Sequence, residues 1–218
     1  MTSSAVLFDL YYTLVGWDEA AYLELLSGHL EVAPQRVKDA LDSSRDARHL
    51  GACGDLDGDI AAVLIALGRT PGPELVAEVQ HLREAFVSAR VNMYPDSLPA
   101  IRALREGGTR LALVSNCSFD TPPLIERLEL AREFDAIILS FEVGMLKPDP
   151  GIYEAALASL GDISPEEALF VDDQPFFCDG ATALGLDTRL IRRNSSGASE
   201  QEETNGHVVI ASLAELRP

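Results

Sequence analysis

Three polar clusters in this 218-residue chain directly follow short apolar runs. Asp9 follows residues 5–8 (AVLF), Ser115-Asn116 follows 111–114 (LALV), and Asp172-Asp173 follows 168–171 (ALFV). A carboxylate at the end of a buried strand is costly unless it is hydrogen-bonded or bound to a cation. Asp9 therefore reads either as a helix cap or as a carboxylate nucleophile. Thr13, four residues on, can hydrogen-bond back into the turn. Ser115-Asn116 is either an ordinary turn or a hydroxyl with nearby amides that binds one oxygen of a transferring anion. Asp172 and Asp173 repel each other, so a bound cation is their natural compensation. With Asp9 they offer hard oxygens suited to Mg²⁺. Lys147, ahead of Pro148-Asp149-Pro150, can pair with Asp9 and bind developing charge.

The elements that must position these residues follow from periodicity. Residues 5–8 read as a fully buried strand of a parallel sheet. From about residue 93 onward strands and helices alternate. The strands are expected at 111–114, 136–139, 168–171, 188–191 and 208–210. The helices are expected at 96–106, 123–130, 150–160 and 180–184, with a last turn at 212–216. Ser164-Pro165-Glu166-Glu167 has the form of a capping box. Residues 193–206 are polar and read as mobile. Such alternation predicts an α/β fold, a doubly wound parallel sheet with ligands at the carboxyl ends of its strands. Residues 17–92 differ, with apolar spacings of three and four and no strand-like run. They read as two helical blocks separated by a Gly- and Asp-rich break at 51–59. The expected organisation is a core of residues 1–16 and 93–218 with a helical domain, 17–92, inserted into it.

Four segments, LFDLYYTLV, LALVSN, GMLKPDPGIY and LFVDDQ, together resemble the four motifs of the haloacid dehalogenase superfamily in order, context and spacing. The resemblance implies a Rossmann-like core with a helical cap between the first two motifs. It also implies attack by Asp9 on phosphorus or carbon, giving a covalent aspartyl intermediate that water hydrolyses. Thr13, Ser115 and Lys147 become further catalytic residues. Mg²⁺ would be held by Asp9, Asp172, Asp173 and the backbone carbonyl of Tyr11. Tyr11, Asn116, Arg45 and Arg48 are the candidate substrate contacts, with His49 beside them.

Two positions pull in opposite directions. Phosphatases of this superfamily carry Asp two residues after the nucleophile as acid and base, where this chain has Tyr11. Members that dehalogenate 2-haloacids have Tyr there, followed by Gly, which is Tyr12 here. Those dehalogenases need no metal and have Ser and Asn where this chain has Asp172-Asp173. The reading that reconciles both is a Mg²⁺-dependent phosphatase acting on a small phosphorylated metabolite with an altered acid. The alternatives are a 2-haloacid dehalogenase-type hydrolase and a weakly active phosphate-ligand-binding protein.

The bulk properties narrow the partners. A net charge of −18, with 35 acidic against 17 basic residues, repels nucleic acid and anionic lipid, so neither is expected as a partner. A small-molecule substrate then needs a local cluster of cations, amides or metal. Apolar stretches are too short to span a membrane, and no secretory signal pattern opens the chain. Three scattered cysteines form no disulfide or metal pattern, as expected of thiols in a reducing cytoplasm. A monomer or homodimer is expected.

Overall fold

The structure is a computed structural model that describes residues 3–193 and 204–216. In chain order it contains β1 (Ala5–Phe8), α1 (Glu19–Leu30), α2 (Pro34–Ser43), α3 (Arg45–His49), α4 (Leu56–Ala66) and α5 (Pro73–Arg90). There follow α6 (Ser97–Glu106), β2 (Arg110–Ser115), α7 (Thr121–Arg127), β3 (Ala136–Leu139), α8 (Ser140–Val143) and α9 (Pro150–Ser159). The chain continues with β4 (Ala168–Asp172), α10 (Pro175–Leu184), β5 (Asp187–Ile191) and β6 (Val208–Ile210). No helix among the described residues is long and apolar enough to cross a membrane.

The six strands are parallel, in the order β3-β2-β1-β4-β5-β6. Strand order runs one way from β1 to β3 and the other way from β4 to β6. The reversal between β1 and β4 opens a crevice at their carboxyl ends, where Asp9 and Asp172 lie. Side chains alternate across a strand, so β1 feeds two cores. Val6 and Phe8 join Ile101 and Leu104 of α6 and Leu124 of α7 on one face. Ala5 and Leu7 join Ile152 and Tyr153 of α9 and Ala181 of α10 on the other. Helices α1, α2, α4 and α5 share a third core, including Leu26, Val37, Leu64 and Phe86.

Several local expectations are corrected. The break in the helical segment is shorter than 51–59, because Asp55 accepts a hydrogen bond from Gly58 N at 2.8 Å and starts α4 at Leu56. The segment forms five helices, three before the break and two after it. Ser164 makes no side-chain cap, so the box at 164–167 is absent and only a 3-10 turn remains. A true capping box sits at Ser212 and Glu215, starting the turn Leu213–Glu215. Helix α8 carries no periodic signal in four residues. Of the stretch read as mobile, 194–203 lies outside the described residues. Its flanks are anchored: Arg193 donates to both Asp96 carboxylate oxygens at 2.7 Å, and Asn205 donates to Asp179 at 2.7 Å.

Candidate active site

Asp9 leaves β1 with its backbone N–H donated to Val171 O at 2.9 Å. That bond seats it beside the end of β4. Lys147 Nζ donates to Asp9 Oδ1 at 2.6 Å and to Asp172 Oδ2 at 2.7 Å. The Lys147 side chain is fully buried, and its ammonium lies 5.4 Å and 5.0 Å from the ring centroids of Phe170 and Phe177. Asn116 fixes the lysine from behind, accepting from Lys147 N at 2.8 Å and donating to Lys147 O at 3.0 Å. On α10, Gly180 admits Pro148 so closely that an added Cβ would stand 2.5 Å from Pro148 Cβ.

The electrostatics are set by burial and crowding. Burial opposes the Lys147 charge, but Asp172 and Asp9 outweigh it and hold the amine above its ordinary value. Burial raises Asp172 well above the ordinary carboxylate range, with Asp9 and Asp173 adding to the rise against Lys147. Burial and the Asp9 charge push Asp173 up to about 6. Asp9 and Asp172 share one ammonium with Asp173 beside them, and one oxygen of each of the three lies within 4.8 Å of the others. Such a set of hard oxygens with uncompensated charge fits a divalent cation.

The turn after Asp9 closes through its backbone. Leu14 N and Val15 N both donate to Leu10 O, and Tyr12 N donates to Val15 O at 2.8 Å. The Thr13 hydroxyl does not bond back into this turn; it is buried without a hydrogen-bond partner. Tyr12 adopts φ 60°, the left-handed region that glycine occupies most easily. The Ser115 hydroxyl is also buried and unpartnered, with only the weakly bonding Cys117 thiol beside it. Tyr11 packs edge-on against Trp17, with ring centroids 6.0 Å apart, and its hydroxyl pairs with Thr121 Oγ1 at 3.1 Å. Burial raises its pKa.

A cavity of about 410 Å³ opens between the sheet end and the helical segment. Asp9, Tyr11, Asn116, Asp173, Arg45 and Arg48 all line it. Thr13, Ser115, Lys147 and Asp172 sit behind its wall, buried. Arg45 is exposed and paired with Asp42 at 2.5 Å. Arg48 donates to Leu41 O at 2.9 Å and to Ser44 Oγ at 3.1 Å. Burial and the neighbouring arginines push His49 down to about 3, so its ring is neutral. Sequence reasoning missed Arg83 of α5, which also lines the cavity. It ion-pairs with Asp120 and lies over the rings of Trp17 and Tyr22 at 5.3 Å and 5.1 Å. No local signal distinguishes it from the other arginines, because its neighbours arrive from distant segments.

Comparison with known proteins agrees with this architecture. The family described as haloacid dehalogenase-like hydrolase matches residues 4–185. Glyceraldehyde 3-phosphate phosphatase of Methanopyrus kandleri is 34% identical over 60% of this chain and 57% of its own length. (S)-2-haloacid dehalogenase 4A of Burkholderia cepacia is 29% identical over 63% of this chain and 60% of its own. The matched region spans little more than half of these relatives. A phosphatase from Thermococcus onnurineus shares the fold at TM-score 0.67 and 24% identity, over 99% of this chain and 95% of that one. L-2-haloacid dehalogenase from Xanthobacter autotrophicus does so at TM-score 0.69 and 23% identity, over 98% and 96%. With its carboxylates and lysine gathered at the switch point of the sheet, this chain belongs to the haloacid dehalogenase-like hydrolases.

Proposed function

We propose that the protein is a Mg²⁺-dependent phosphatase that acts on a small phosphorylated metabolite through an aspartyl-phosphate on Asp9. The observation that carries this reading is the crowding of three carboxylates, of which only Asp9 and Asp172 are paired with the ammonium of Lys147. An anionic haloacid would be repelled by that charge, whereas a phosphate dianion with its metal is matched to it. Asp9, Asp173 and the Tyr11 carbonyl would hold Mg²⁺, with Asp172 binding directly or through water. When bound, the ion supplies neutralisation of the phosphoryl oxygens.

The residues of the chain divide the remaining work. Lys147 engages Asp9 Oδ1, which leaves the other carboxylate oxygen to attack phosphorus while the ester oxygen departs. Water then attacks the aspartyl-phosphate, releasing phosphate and restoring Asp9. The unpartnered Ser115 hydroxyl supplies a donor for a phosphoryl oxygen, and Asn116 keeps Lys147 in place. Backbone bonds, rather than the Thr13 hydroxyl, hold the loop that carries the nucleophile. Residues 17–92 act as the cap over the cavity, with Arg45 and Arg48 on its side of the substrate. Tyr11 leaves the site without a carboxyl proton donor, a contribution worth about 10²–10⁴-fold. Substrates with good leaving groups, such as anomeric sugar or acyl phosphates, need that proton least. The setting that fits these thiols and this substrate class is the cytoplasm.

Tyr11 also favours a second reading, dehalogenation of a 2-haloacid, because dehalogenases of this superfamily carry Tyr at that position. A panel of phosphate esters and 2-haloacids, assayed with Mg²⁺ and with EDTA, separates the readings. Mg²⁺-dependent release of phosphate is expected. Halide release that survives EDTA would replace the proposal with the second reading. No turnover of any substrate would favour a ligand-binding role.

A further inference from the structure

The end of β5 holds two consecutive arginines, and each reaches a backbone carbonyl of a different carboxylate-bearing loop. Arg192 keeps its backbone N–H on Ile210 O at 2.9 Å, within the sheet, and donates from Nη1 to Asp173 O. Arg193 donates from Nη2 to Thr13 O at 2.5 Å. One contact is in the loop after β4 and the other in the loop after β1. Side chains at successive positions leave a strand in opposite directions, which lets neighbouring residues serve both loops.

Arg193 is itself held firmly. Its Nη1 lies 2.7 Å from each Asp96 oxygen, and its guanidinium stacks 4.2 Å from the Tyr94 ring centroid. Asp96 is fixed in turn by Ser212 Oγ at 2.6 Å and Leu213 N at 2.8 Å. Tyr94 N and Ser97 Oγ both donate to Leu14 O, at 3.0 Å and 2.9 Å. The return from the helical segment is therefore tied to the same loop that the arginine grips.

We propose that Arg192 and Arg193 are positioning residues that fix the spacing between the Asp9 loop and the Asp173 loop, and so set the affinity of the cation site. The inference rests on the cation-site reading above. Mutual repulsion of the carboxylates pushes these loops apart, and two guanidinium contacts on their backbone carbonyls resist it. Removing such outer partners of metal ligands typically weakens binding about 10–100-fold.

The test measures Mg²⁺ binding by calorimetry, with the metal alone as probe, alongside metal-free melting temperature and steady-state kinetics. Arg192→Met should weaken Mg²⁺ about tenfold while changing the metal-free melting temperature little. Its kcat should return to the wild-type value at saturating Mg²⁺, with KM unchanged. Arg192→Gln, which still offers a donor to the Asp173 carbonyl, should restore much of the affinity. Arg193→Lys keeps the charge but cannot grip Asp96 and Thr13 O together, and should weaken Mg²⁺ in the same way. Wild type that binds Mg²⁺, with equal affinity in folded Arg192→Met and Arg193→Lys, overturns the clamp alone. Wild type that binds no Mg²⁺ overturns the clamp and the cation site together.

Discussion

Asp9 is held at one oxygen by Lys147 and at its backbone by Val171, so the attack proposed for it would need little reorganisation. Asp9→Asn should lower kcat by at least about 10³-fold, with the circular-dichroism spectrum unchanged. Residual activity of more than a few per cent would remove Asp9 as nucleophile. Tyr11→Asp tests the altered acid. It should raise kcat/KM for an alkyl phosphate more than for an aryl phosphate, because only the alkoxide needs a proton to leave. An equal change for both substrates would mean that Tyr11 does not occupy the place of a missing donor. The residues of this site were legible in the sequence wherever polar groups ended apolar runs, as at Asp9, Ser115 and Asp172. The pairing of Lys147 with Asp9 was also foreseeable, since an acidic chain needs a fixed cation near an anion site. The expected Thr13 hydroxyl bond is absent, because backbone donors already close that turn. Asn116, read as a substrate contact, lines the cavity, and its side chain is also engaged on both sides by the Lys147 backbone.

At the scale of elements, α10 and the segment bearing Lys147 approach to contact only because residue 180 lacks a side chain. Gly180→Ala should lower the melting temperature and cut kcat, since Pro148 and the adjoining lysine must shift; unchanged kinetics would mean the segment yields without moving Nζ. A second junction joins the helical segment to the core. Asp59 of α4 accepts from Phe119 N at 3.2 Å, while its other oxygen is buried without a partner. Burial raises its pKa above the ordinary 3.8. A raised carboxylate destabilises the fold above its folded pKa and ceases to do so once the unfolded group is protonated too. Asp59→Asn should therefore raise the melting temperature near pH 7, with the gain disappearing below about pH 3.8. A gain that persists at acid pH would assign it to something other than charge. Strands were easy to read because buried parallel strands are continuous apolar runs, whereas α8 and the length of the break before α4 depended on single capping bonds.

For the whole molecule, a net charge of −18 coexists with a cavity lined by Arg45, Arg48 and Arg83. Composition gave the acidic surface, but only the fold brings arginines from α3 and α5 to one place. Cationic side chains are overwhelmingly arginine, and the sequence has just two lysines, Lys38 and Lys147. Lys38 is 38% exposed, whereas Lys147 is sealed beneath two aromatic rings. The chain thus contains its own reporter for acylating reagents. Under native conditions an amine-reactive ester should modify Lys38 and spare Lys147, as read by peptide mass spectrometry. Modification of Lys147 would then mark the fraction of molecules whose cavity floor has opened, without any engineered probe. Equal labelling of both amines in folded protein would show that the floor breathes on the timescale of the reagent.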